Sequence, residues 1–162
     1  MAQIRIETFV AALPERVFDV ARDLDFHARS MAHTGERAIG GRTSGLIEQG
    51  EEVEWRARHL GLSWRLRSRV TSMDRPRSFT DEQVAGPFAR YDHRHTFVPH
   101  DGGTLMADEW RHVPPLGPLG ALADVLFLER HMRRTLELRA AAIKAEAERH
   151  SHPATARQTQ RP

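Results

Sequence analysis

His93 and His95 sit two residues apart between aromatic neighbours, in the run Tyr91-Asp-His-Arg-His-Thr-Phe97. A strand turns alternate side chains to one face, so Tyr91, His93, His95 and Phe97 share a face, while Arg90, Asp92, Arg94 and Thr96 take the other. Imidazoles beside a carboxylate can move protons near neutral pH, fix the polar end of a bound molecule, or hold a metal ion. The neighbouring strands offer the carboxylates. A four-residue connection at Pro99 to Gly102 sets His95 opposite Met106, His93 opposite Asp108 and Tyr91 opposite Trp110. A slip of one residue would present Leu105, Ala107 and Glu109 instead. On the other side, a three-residue Gly86-Pro87-Phe88 turn sets Asp81 beside His93 and Phe79 beside His95, with Thr80 and Glu82 in the opposite phase.

A second hairpin extends the same face. With Leu60-Gly61 as a two-residue turn, His59 opposes Leu62, Ala57 opposes Trp64, Trp55 opposes Leu66, Val53 opposes Ser68 and Glu51 opposes Val70. The outer face then pairs Glu54 with Arg67 and Glu52 with Arg69, opposite charges across the ladder, with Arg56 and Arg65 as one like-charge exception. This accounts for the densest basic run as a solvated strand face. There is no recognition helix and no aromatic interleaving of the kind that binds single strands, so nucleic acid is not an expected partner.

The inner face therefore gathers Glu51, His59, Asp81, His93, His95 and Asp108 among aromatics. A solid core does not bury that many ionisable groups, because each needs a partner or loses its charge. Either they satisfy one another or they line a wet pocket. The His-x-His spacing would let both rings reach one ion with a carboxylate completing the set, but His–Asp pairs that satisfy each other explain the same residues, and no metal or cofactor is expected. A catalytic reading uses His93 as general base oriented by Asp81 or Asp108. No nucleophile motif, phosphate loop or HExxH accompanies it, and binding and catalysis both stay open.

These residues need a scaffold of strands and one covering helix. Residues Gln3 to Val10 alternate as a half-buried strand. Pro14 suits the first turn of a helix carrying Val17, Phe18 and Ala21, and a second short helix follows around Phe26 to Met31. From Glu36 to His112 short alternating segments are divided by Gly, Pro and Asp, as antiparallel strands require. After Pro114 to Pro118, the stretch from Leu119 to about Arg149 carries Leu122, Val125, Leu128, Met132, Leu136 and Ile143 at helical spacing. The pattern predicts an α+β fold in which a curved antiparallel sheet grips one long C-terminal helix. One domain is expected over residues 1–149, with a disordered polar tail at 150–162.

Composition narrows the remaining classes. The 162 residues are 40% hydrophobic and 28% charged, the balance of a globular domain. The chain has no cysteine, which excludes disulfides, thiolate nucleophiles and Cys-ligated zinc or iron–sulfur sites. Net charge is only +2, and Lys144 is the sole lysine; with so little titrating between histidine and arginine, the sequence pI of 9.9 overstates the basicity. No leader-like or membrane-length apolar run is present, so a cytoplasmic protein without membrane insertion is expected.

Several stretches together resemble the SRPBCC superfamily, the helix-grip fold of START domains, polyketide cyclases and the birch-pollen allergens. They are similar above all to a bacterial branch described as ligand-binding SRPBCC proteins. They are His27-Ala-Arg-Ser-Met31, the Gly-rich run Thr34 to Gly45, Gly50-Glu-Glu-Val-Glu-Trp-Arg-Ala-Arg-His59, Asp81 with Gly86-Pro-Phe88, His93-Arg-His95, and Pro115-Leu-Gly-Pro-Leu-Gly120. The resemblance covers about residues 3 to 145. It implies seven strands, two short helices after the first strand, and a cavity between sheet and long helix. It supplies no reaction, since this fold hosts carriers, sensors, cyclases and chaperone activators alike. The expected ligand is a small, partly apolar molecule. Its expected contacts are Glu51, Trp55, His59, Trp64, Asp81, Tyr91, His93, His95, Phe97, Met106, Trp110 and Met132, with His27 and Glu36 near the mouth. A cyclase or dehydratase using the histidines, and a protein-interaction module, are the alternatives.

Overall fold

The computed structural model describes residues 2–59, 61–114 and 127–149. The chain runs β1 (Ala2–Val10), α1 (Pro14–Ala21), α2 (Leu24–Ser30), a single 3-10 turn (Ala32–Thr34), β2 (Arg37–Gly41), β3 (Glu52–His59), β4 (Leu62–Asp74), β5 (Ser78–Ala85), β6 (Arg90–His100), β7 (Gly103–Val113) and α3 (Glu129–Arg149). All seven strands form one antiparallel sheet in the order β1-β7-β6-β5-β4-β3-β2. This is the expected α+β helix-grip architecture. The Pro-Leu-Gly lead, the first part of the expected long helix and the polar tail lie outside the described residues.

The local chemistry that builds these elements is simple. Pro14 occupies the first turn of α1, where its missing N–H costs nothing. The Asp23 carboxylate caps α2 by accepting from the Asp25 and Phe26 N–H groups at 2.9 and 3.0 Å. Bulges between Ala38 and Gly40, at Arg67/Ser68 and between Val70 and Ser72 bend the strands. Gly41 must be glycine: its φ is +67°, and a Cβ there would stand 2.2 Å from the Glu52 carbonyl oxygen.

The concave face of the sheet is filled unevenly. At one end α1 inserts Phe18 between Phe79 and Phe97, with ring centroids 5.6 and 5.5 Å apart, and Val10, Met106, Ile143 and Ala147 close around them. Toward the other end the gap between sheet and α3 stays open. The β3/β4 register is the expected one, from Glu52 opposite Arg69 to His59 opposite Leu62. On the outer face Arg67 reaches Glu52 at 2.7 Å, so the basic run is a paired, solvated surface.

Candidate functional site

The open part of the interior is a cavity of about 130 Å³ lined by Trp55, Ala57, His59, Trp64, Leu66, Phe88, Tyr91, His93, Trp110 and, from α3 and the residue before it, Leu128, Met132, Thr135, Leu136 and Arg139. It adjoins a second chamber of about 90 Å³ that reaches Phe79, Asp81 and His95. His27, Glu36, Trp55, Tyr91, His93 and Arg139 border both. Aromatic walls with a few converging polar groups are the usual make-up of a small-molecule site.

The polar cluster rises from three adjacent strands. Asp81 pairs with His93 and Phe79 with His95, as the three-residue turn predicts. The β6/β7 register differs from expectation. His95 opposes Asp108, His93 opposes Trp110 and Tyr91 opposes His112. The connection is the two-residue Asp101-Gly102 turn, with φ of +46° and +76°, so pairing continues to His100 and Gly103. Because the slide is two residues, Met106, Asp108 and Trp110 keep their inward face.

Asp108 lies behind both rings, its Oδ1 2.5 Å from His95 Nδ1 and 3.3 Å from His93 Nε2. His95 Nε2 faces Asp81 Oδ1 at 3.7 Å, and the Tyr91 hydroxyl donates to Asp81 Oδ2 at 3.3 Å. Burial, and then the neighbouring His95, push His93 down to about 4, so it is neutral at neutral pH. Burial opposes the charge of Asp108, but His95 and His93 together outweigh it and hold the carboxyl well below its usual range. His95 is displaced the other way: burial lowers it, Asp108 and Asp81 together more than compensate, and its pKa is raised. Burial and then Asp81 keep Tyr91 a neutral phenol.

Two further contacts shape the walls. His27 Nε2 meets Glu36 Oε1 at 3.0 Å, and the His27 ring stacks on Trp55 with centroids 4.3 Å apart. His59 Nδ1 meets His131 Nε2 at 3.0 Å, while the Trp64 indole N–H donates to the His59 carbonyl at 3.0 Å.

Three expected contacts fall outside the cavity. Glu51 precedes β3; its carboxylate accepts from Arg42 Nη1 and from the Glu48 N–H, both at 2.8 Å, because Gly50, at φ +86°, turns the chain out of the strand. Phe97 and Met106 are fully buried in the packed end under α1 and line neither chamber. Asp108 is placed to hold the histidines rather than to touch a ligand. Phe88, Thr135 and Arg139 line the cavity without being marked by strand alternation or by the expected contact set. Arg139 carried a signal: it sits on the buried stripe of α3 with Leu136, Ala140 and Ile143. There its guanidinium donates to the Ala21 carbonyl at 3.0 Å.

Sheet, gripped helix and internal cavity together define a helix-grip fold. The chain belongs to the family described as "Polyketide cyclase / dehydrase and lipid transport", whose model matches residues 1–148. Among solved structures it is similar to TTHA0849 from Thermus thermophilus (19% identity, TM-score 0.74, covering 90% of this chain and 97% of that one). It is also similar to the Zhui aromatase/cyclase from a Streptomyces species (18%, 0.72, 95% and 98%) and to a START superfamily protein from Mycobacterium smegmatis (16%, 0.69, 91% and 97%). At these identities the likeness is one of fold. No curated protein matches the sequence. Among the described residues no helix is long and apolar enough to cross a membrane.

Proposed function

We propose that the protein binds a small, partly apolar molecule between sheet and α3. The body of the ligand lies against Trp55, Trp64, Phe88, Trp110 and Met132, and its polar end meets His93, Asp81 and Arg139. The observation that carries this reading is an aromatic cavity with ionisable groups converging at one side, where a solid core would have excluded both space and charge. The family, which spans lipid transport and cyclisation, supports it.

The chain has three tryptophans, and all three line the cavity, so intrinsic fluorescence reports occupancy directly. Titration with a panel of fatty acids and polycyclic phenols is expected to give saturable quenching at one equivalent. Ala57→Leu, which fills the cavity from β3, abolishes that quenching without unfolding the protein. A panel that quenches neither protein overturns the reading.

A cyclase or dehydratase is the second reading, favoured by a neutral, buried His93 at the cavity wall with Asp108 behind it. It predicts turnover of a poly-β-carbonyl substrate. Under it, His93→Ala lowers kcat with KM nearly unchanged, whereas a pure binder shows no turnover in either form.

A further inference from the structure

Asp81, His93 and His95 each offer one ligand atom, and the three atoms lie within 4.8 Å of one another. We propose that these residues bind one divalent transition-metal ion of the Zn²⁺ type, with its remaining coordination position open to the cavity. Two imidazoles and one carboxylate are a borderline-hard donor set suited to such ions.

The surroundings are arranged as metal sites require. Asp108 sits on the far side of both rings, against Nδ1 of His95 and Nε2 of His93. That leaves Nε2 of His95 and Nδ1 of His93 as the free donors, and His95 Nε2 is the atom that faces Asp81. Tyr91 donates to the outer oxygen of Asp81, leaving Oδ1 toward the rings. Each ligand thus has a polar group behind it, in the place where ligating histidines and carboxylates usually keep an orienting partner.

Mutual satisfaction explains the cluster less well. His93 Nε2, His95 Nδ1 and Asp108 Oδ1 are buried and close, yet none makes a well-directed hydrogen bond. Buried polar atoms in that condition call for an explanation, and an ion is one. A metal on the open side of the rings would hold them edge-on and aim both N–H groups at Asp108. Two carboxylates, Asp81 and Asp108, flank the histidines, while the guanidinium groups that border the same chamber, Arg22 and Arg139, are not among the groups in contact with the rings. His93 and Asp81 border the chambers, so an ion has a route in and a bound molecule can reach it. The expectation of no metal rests on His–Asp pairs that satisfy each other, and these buried atoms are what that reading leaves unexplained.

The test uses Co²⁺ as a spectroscopic probe on the full chain after chelator treatment and dialysis. One equivalent is expected to bind, with visible d–d bands, and Zn²⁺ displaces it. His93→Gln and Asp81→Asn remove the bands, and Asp108→Asn weakens binding about 10- to 100-fold with the spectrum retained. The His100→Ala variant, which removes an exposed histidine at the β6/β7 turn away from the cavity, binds like the parent. The proposal is overturned if the parent binds no Co²⁺. It is equally overturned if binding survives the site variants or is lost in His100→Ala. Should His93→Gln fail to fold, Asp81→Asn, at the cavity wall, carries the same comparison.

Discussion

Replacing Glu36 by glutamine keeps the shape of the side chain and removes its charge. The carboxylate is 12% exposed and its partner His27 17%, at 3.0 Å, so the pair is shielded from water on most sides. Burial alone would raise the Glu36 pKa, but His27, His59 and Arg139, acting in the same sense, together outweigh it, and the net shift is downward from 4.5. The folded protein therefore favours the charged form more than the unfolded chain does. That contribution is complete above the unfolded value and disappears as pH falls through the folded one. A charge-assisted hydrogen bond becomes a neutral one, and part of the difference is offset because a buried charge no longer has to be desolvated. The expected net loss is about 1 kcal/mol at pH 7, or a Tm lower by about 2–4 °C for a chain of this size. Protonating the native carboxyl is nearly the same change as the substitution, so the two stability curves converge on acidification. Urea unfolding followed by tryptophan emission from pH 7 down to about 4 measures both. Equal stability at pH 7, or a difference that persists unchanged into acid, refutes the reasoning.

The remaining expectations concern packing, backbone and the cavity rim. Phe97→Ala removes a fully buried ring and is expected to destabilise by about 3–5 kcal/mol, whereas Trp64→Ala, half-buried at the cavity wall, weakens ligand quenching with a much smaller fall in Tm. Gly41→Ala, forced against the Glu52 carbonyl at positive φ, is expected to lower stability by at least about 1 kcal/mol, read by the urea midpoint. His59 and His131 are both lowered, first by burial and, for each, by other nearby histidines. The stability they contribute is whole above 6.5 and is lost as pH falls below it. A His59→Asn/His131→Asn variant should therefore show a flatter Tm profile between pH 7 and 5 than the parent.

Much of this was legible because β-structure has a period of two. The β3/β4 register followed from the turn and from opposite charges across the ladder. The Asp81–His93 pairing followed from the Gly86-Pro87-Phe88 turn. On β7 the same periodicity preserved the inward set although the turn was two residues rather than four, so the error fell on partners: Asp108 stands opposite His95, not His93. Glu51 was misplaced because alternation was carried one residue past the end of β3, where Gly50 redirects the chain. Phe97 and Met106 share the inward face with the histidines, but alternation says nothing of what covers each end, and α1 fills theirs with Phe18. Arg139 is the charged member of the buried stripe of α3, and hydrophobic spacing locates that helix without assigning a role to a charged residue on its stripe.

The central claim, an occupied cavity between sheet and helix, is tested most directly by native mass spectrometry of the protein as purified and after incubation with an organic extract of its own cells. The account predicts a non-covalent organic adduct at one per chain, released on denaturation and absent from Ala57→Leu. The same bare protein mass under all of these conditions contradicts it.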